Sequence, residues 1–346
     1  MRALVLGGHG GLEQLTIRDD LPVPELDGPN AVRLRMSAVA LNRLDLFVLA
    51  GWPGLRLTAD WVPVADGTGM VESVGEAVTR VRVGDTVVVN PGSSCRRCHY
   101  CQSEQQPLCL DYKILGEDRS GTAAEFCVVP EWSVDAVSAS VPDAERAAFG
   151  LASLTAYRMV VGKARVSAGE QVLIWGIGGG VALAALQLAK ARGAVVWVTS
   201  GDPSKLSRAA ALGADHLLNH ATDDVPSVIR KATGKRGMDV VIDSVGAATW
   251  SRSLASLGRG GRLVTCGGTS GPMLETDVRR LFMNQWTISG STMGSEAEWA
   301  AVVAEFRKGG LRPPIDSVFP LSAARDAYAR LQSGGQFGKV VIQVAT

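Results

Sequence analysis

Residues 171–200 read QVLIWGIGGGVALAALQLAKARGAVVWVTS, and this stretch sets the fold class. QVLIWG is a short apolar run suited to a strand buried on both faces, and AVVWVTS is a second. Between them, GGVALAALQLAKARG has the length and the Ala/Leu content of a helix. Strand, helix, strand in this order makes a parallel crossover. Further strand candidates follow in GMDVVIDSVG (237–246), GRLVTCGG (261–268) and WTISG (286–290), separated by segments with helical periodicity. The expected architecture is α/β, built on a doubly wound parallel sheet.

Gly176, Gly178, Gly179 and Gly180 crowd the first strand-to-helix turn. A turn without side chains lets a pyrophosphate approach closely, and the helix that Gly180 and Val181 open directs its free N–H groups at that anion. Ala182 holds the final small-residue position, so a search for strict GxGxxG passes over the site. The alternative is a purely structural turn in an unrelated α/β protein. The next strand ends at Ser200, twenty residues beyond Gly180, where an NAD-selective site would carry Asp or Glu for the ribose hydroxyls. A hydroxyl there tolerates a ribose phosphate, and Lys205 and Arg208 bring positive charge, so NADPH is the expected cofactor. Asp202 is the competing acceptor for a ribose hydroxyl. Gly246 in DSVG and Gly267 in CGG follow parallel strands and are further cofactor-lining candidates.

The chain before residue 140 is patterned differently. AVRLRMSAVAL (31–41) alternates as a strand, GMVESVGEAVTRVRVGDTVVVNPG reads as short strands broken by glycine turns, and GTAAEFCVVP is another strand. A helix is expected from about Pro142 onward. Into this β-rich region is set CRRCHYCQSEQQPLC, which brings four of the six cysteines, Cys95, Cys98, Cys101 and Cys109, within fifteen residues. CxxC turns aim sulfurs at one centre, and four thiolates fill a tetrahedral shell. That points to a structural zinc, with an iron–sulfur centre or redox-active thiols as alternatives. Cys127 and Cys266 lie in apolar stretches and read as buried small hydrophobes.

The 346 residues favour two domains, and 46% apolar residues can fill two cores. Thirty-five basic and 34 acidic residues balance to +1 without long runs of either sign, which argues against a nucleic-acid or anionic-membrane partner. No secretory apolar segment opens the chain and no run is long enough to span a membrane. The expectation is a soluble cytoplasmic protein acting on a small molecule.

Together these features resemble the medium-chain dehydrogenase/reductase family. GMVESVG, RVRVGDTVVV, the four-Cys lobe, LTAYRMV, the glycine turn and the terminal FGKVVIQV occur in the family's order over nearly the whole chain. The resemblance implies a GroES-like catalytic domain at 1–152 with its zinc lobe at 91–112, a Rossmann dinucleotide-binding domain at 153–290, and a return to the catalytic domain at 291–346. It also implies a homodimer, with edges such as WTISG as contacts.

In the family's zinc alcohol dehydrogenases a second, catalytic zinc is held by three residues. Their positions here are Asn42 in ALNRLDLF, Ala65 in VPVADGTGMV and Leu151 in FGLASLTAY. None supplies the expected ligand, and Asp66 alone cannot rebuild the shell. The resemblance therefore runs to zinc-independent quinone oxidoreductases and enoyl reductases, implying hydride delivery from NADPH to a quinone or to the β-carbon of an α,β-unsaturated carbonyl. Alternatives are a zinc-independent alcohol or aldehyde oxidoreductase and a nonenzymatic NADPH sensor. On the same grounds Asn42, Asp45 and Thr155 are the catalytic candidates, and Arg43 and Lys339 join the cofactor contacts. Phe47 stands where those reductases often carry Tyr, so it shapes a slot without donating a proton. Trp52, Trp61 and Trp286 either enclose a flat substrate or pack the interior.

Overall fold

The computed structural model describes residues 1–344, and the chain forms two compact units. One takes Met1–Ala152, Ser295–Arg307 and Arg312 onward; the other takes Ser153–Gly294 and Lys308–Leu311. Among the described residues no helix is long and apolar enough to cross a membrane.

The second unit is built on a six-stranded sheet in which every pair is parallel. Its spatial order is His216–Asn219, Val195–Ser200, Gln171–Ile174, Met238–Asp243, Leu257–Thr265, Thr287–Gly290. Chain order reverses between Gln171–Ile174 and Met238–Asp243, and ligands of such sheets bind beyond the carboxyl ends at that switch. Val172, Leu173 and Ile174 are fully buried, as a central strand covered on both faces requires. The helix Gly180–Ala191 sinks its Ala and Leu side chains against the sheet. Strand His216–Asn219 has no sequence signature: it lies at the sheet edge with His216 and Leu217 exposed, and backbone pairing to Trp197–Ser200 defines it.

The first unit centres on a mixed seven-stranded sheet. Its longest strand, Ala31–Ala40, pairs antiparallel with Asp66–Val74, with Phe126–Pro130 and with the late strand Lys339–Gln343. In this register Ala40 lies opposite both Asp66 and Val341. Asn42, two residues past Ala40, and Lys339, two residues before Val341, are thereby carried to the same end of the sheet as Asp66. The cysteine lobe leaves this unit between the paired strands Gly92–Ser93 and Lys113–Ile114. The expected helix after Pro142 runs Asp143–Tyr157 and passes into a π-helical turn at Arg158–Lys163.

Candidate active site

The sheet end just described gathers a buried polar cluster. Lys339 Nζ donates to Asn42 Oδ1 at 2.5 Å and to Asp66 Oδ2 at 2.9 Å. Asn42 Nδ2 donates to the same Asp66 oxygen at 2.9 Å, and Asp66 Oδ1 accepts the Leu151 N–H at 2.6 Å. Asp66 is wholly buried and Lys339 is 3% exposed. A charge so placed is tolerated only when paired and hydrogen-bonded. Gly150 makes room for the arrangement: a Cβ on it would stand 2.4 Å from Asp66 Oδ1.

Asn42 also precedes the helix Arg43–Ala50, where the Asp45 carboxylate reaches back to accept the Asn42 N–H at 2.6 Å. Asp45 is thus a helix-capping group as well as a member of the cluster. Burial raises its pKa to about 7, with the Asn42 N–H and Lys339 pulling downward and the nearby Asp66 adding to the rise. Tyr328 packs close by, its hydroxyl buried without a hydrogen-bond partner among the described residues. Its pKa is raised well above the ordinary value by burial and by Asp45.

The family positions for a catalytic zinc are therefore knit together by other means. Asn42 bonds Asp66, the neighbour of Ala65, and Asp66 bonds Leu151, while an ammonium sits on two of these partners. Ala65 and Leu151 offer no ligating side chain. The residues do not fit a catalytic zinc.

They do fit a structural one in the lobe. The four cysteine sulfurs lie within 4.8 Å of one another, the only such group of candidate ligands among the described residues. Cys95–Cys101, Cys98–Cys101 and Cys95–Cys109 sulfur separations are 3.8, 3.5 and 3.5 Å. A tetrahedron of thiolates about 2.3 Å from zinc has edges of about 3.8 Å. Backbone N–H groups of Arg97 and Cys98 lower the Cys95 thiol to about 6, favouring the ligating thiolate. Arg96 stacks on Trp132 and pairs with Glu296, and Gln106 accepts the Glu296 N–H, which fastens the lobe to the helix Glu296–Arg307.

In the parallel-sheet unit the glycine turn has the geometry of an anion cradle. Gly176 and Gly178 have φ of 66° and 134°, conformations that favour glycine. The Gly176 N–H is held by Thr199 Oγ1. A Cβ on Gly179 would meet nothing within 4 Å, so space lies before the helix that Gly180 and Val181 begin. These residues fit a dinucleotide pyrophosphate. Ser200 ends its strand 6% exposed, and its Oγ accepts the Asp202 N–H. Asp202 caps the next helix by accepting from Ser204, which also lowers its pKa. Lys205 is half-buried and Arg208 exposed on that helix. A Cβ on Gly246, at φ 91°, would stand 2.7 Å from Gly268 Cα, so only glycine lets the turns carrying Gly246 and Gly267 lie this close.

Asn42, Asp45 and Lys339 thus converge in one unit, and the glycines with Ser200, Gly246 and Gly267 in the other. Lys339, expected among the cofactor contacts, has its amine committed to Asn42 and Asp66. Thr155 is buried on the helix Asp143–Tyr157, and Arg43 is exposed on the first turn of its helix. Trp61 and Trp286 are core residues whose indole N–H groups donate to Gly116 and Gly258 carbonyls; Trp52 is exposed. Sequence reading gave Asp66 no role and passed over Gly150 and Tyr328. Their only signals were an acidic residue beside Ala65 and a glycine beside Leu151.

Comparisons agree with this geometry. Residues 28–139 match the family model "Alcohol dehydrogenase GroES-like domain" and residues 180–308 match "Zinc-binding dehydrogenase". The quinone oxidoreductase of Lama guanicoe is 30% identical, over 99% of this chain and 97% of its own. A solved structure titled as an NAD-dependent alcohol dehydrogenase superposes with TM-score 0.96 at 41% identity, over all of both chains. A crotonyl-CoA carboxylase/reductase superposes with TM-score 0.92 at 26% identity, over 99% of this chain and 87% of that one. With the glycine turn, the four-Cys lobe and the GroES-like sheet all in place, the chain belongs to the medium-chain dehydrogenase/reductase superfamily.

Proposed function

We propose that the protein is an NADPH-dependent reductase that passes hydride to a quinone or to the β-carbon of an α,β-unsaturated carbonyl without a catalytic zinc. The observation that carries the reading is the buried Asn42–Asp66–Lys339 cluster, which stands where an alcohol dehydrogenase would need three metal ligands. An alcohol or aldehyde enzyme must stabilise an alkoxide, the task a metal ordinarily performs. An enone or quinone disperses the incoming charge over a conjugated system, so positioning and fixed hydrogen-bond donors suffice. The likeness to a quinone oxidoreductase and to a crotonyl-CoA carboxylase/reductase supports the same chemistry.

The bound dinucleotide supplies the hydride. The protein's part is to hold the pyrophosphate at Gly176–Val181, to line the ribose and nicotinamide with Gly246 and Gly267, and to receive the ribose end at Ser200, Lys205 and Arg208. Arg43 is a further phosphate contact, and Asn42, Asp45 and Thr155 serve the reacting end. Absence of a carboxylate at Ser200 favours NADPH, whereas the 41%-identical structure titled NAD-dependent favours NADH. Dissociation constants for both cofactors decide this, and a clear NADH preference refutes the Ser200 argument. Likeness to that alcohol dehydrogenase favours the alternative, a zinc-independent alcohol or aldehyde oxidoreductase. Cofactor oxidation against quinones, enals, enones and aldehydes separates the two, and turnover confined to aldehydes refutes the reductase. Binding of NADPH with no turnover of any of them would favour a sensor. The acting form is a homodimer, which sedimentation tests.

A further inference from the structure

An ammonium has three N–H donors, and among the described residues Lys339 Nζ has two acceptors, Asn42 Oδ1 and Asp66 Oδ2. The other N–H donors of the cluster are committed. Asn42 Nδ2 serves Asp66, with a longer contact to the Ala40 carbonyl, and the Asn42 N–H serves Asp45. Asp66, in turn, spends both oxygens on Lys339, Asn42 and Leu151. The cluster therefore fixes one cation rigidly and leaves one N–H of it unspent.

We propose that this third N–H of Lys339 donates to the substrate's carbonyl oxygen, making Lys339 the catalytic cation that stabilises the oxyanion formed when hydride is delivered. The assignment rests on the reductase reading above and gives Lys339 a role distinct from cofactor binding. In the reaction, a C–H bond forms at the β-carbon as the dihydronicotinamide is oxidised, and the π pair of the C=C bond shifts to leave an enolate oxygen. A proton from water then adds at the α-carbon. Net, the unsaturated carbonyl, NADPH and one proton give the saturated carbonyl and NADP⁺. Lys339 keeps its protons throughout and contributes a preorganised charge, the kind of group whose removal typically costs about 100-fold or more in rate.

Lys339→Met alone strands the buried Asp66 carboxylate and threatens folding, so the test pairs it with Asp66→Asn, with Asp66→Asn alone as control. Circular dichroism and zinc content establish that each variant is folded. With NADPH and an enone, the double variant is expected to lose about 100-fold in kcat, while its NADPH dissociation constant stays within about twofold and Asp66→Asn alone loses about tenfold or less. A second readout needs no turnover. When 4-nitrophenol binds the complex with NADP⁺, the wild-type protein should favour the phenolate, lowering the ligand's pKa by about one unit, and the double variant should not. Three results would each overturn the proposal: a folded double variant with near wild-type kcat, a rise in the NADPH dissociation constant that accounts for the loss, or an equal loss in Asp66→Asn alone. Wild-type turnover of aldehydes but not enones or quinones would sink the reductase reading while the Lys339 comparison is still made, on the aldehyde. Inertness toward all of them would sink both.

Discussion

Replacing Asp45 by Asn should flatten the pH dependence of stability in a defined window. The Asp45 side chain is buried beside Asp66, Lys339 and Tyr328, and its carboxyl is raised from the ordinary 3.8 to about 7. Between those values the unfolded chain has released the proton that the folded chain still holds. Stability from this group is therefore fully present below about pH 4 and is lost as pH rises through about 7. A shift of that size corresponds to roughly 4 kcal/mol. Asn keeps an oxygen to accept the Asn42 N–H but does not titrate, so its stability lacks this slope. Whatever constant offset the substitution brings, the variant should gain on wild type by roughly 4 kcal/mol between pH 4 and pH 8. Denaturant unfolding at four or five pH values measures it. Parallel curves for the two proteins would refute the claim that Asp45 is held protonated by burial.

Three other outcomes follow from the geometry. Helix propensity alone would have Gly150→Ala stabilise by about 1 kcal/mol, yet its methyl would meet Asp66 Oδ1 at 2.4 Å and the Val89 carbonyl at 3.0 Å. A net loss of about 1–3 kcal/mol is expected in thermal or urea unfolding, with kcat falling as Asp66 is displaced. Cys101→Ser should abolish the roughly one zinc per chain found by metal analysis and lower the melting temperature, with kcat of the folded fraction changed about threefold or less, as a closed four-thiolate site implies. Gly178→Ala, at a φ of 134°, should weaken cofactor binding about tenfold by straining the turn, while zinc content stays as it was.

Much of this molecule was legible because its signals are local. The parallel sheet showed itself through short apolar runs such as QVLI and VVWVTS, and the glycine turn through residues that tolerate positive φ. The cysteine lobe was complete within fifteen residues. What escaped reading depends on pairing across the chain. The edge strand His216–Asn219 carries no periodic pattern, and only its neighbour defines it. The partnership of Lys339 with Asn42 and Asp66 is set by strand register, which no window of sequence displays. Lys339 in FGKVVIQV therefore read as a cofactor contact when its amine has two side-chain partners elsewhere. Asp45 likewise read as a catalytic candidate, and its capping of the helix Arg43–Ala50 became apparent only with the backbone in place.

The strand carrying Lys339 has a consequence for how the protein comes into being. Its amine bonds residues 297 and 273 positions earlier in the chain. During synthesis the parallel-sheet unit can fold as soon as Thr287–Gly290 has emerged, because domains form as units in order of appearance. The first unit must wait, holding Asp66 and Asn42 without their cation until residue 339 has left the ribosome. A chain stalled or cut shortly before residue 339 would thus be able to bind a dinucleotide while lacking the charge proposed to use it.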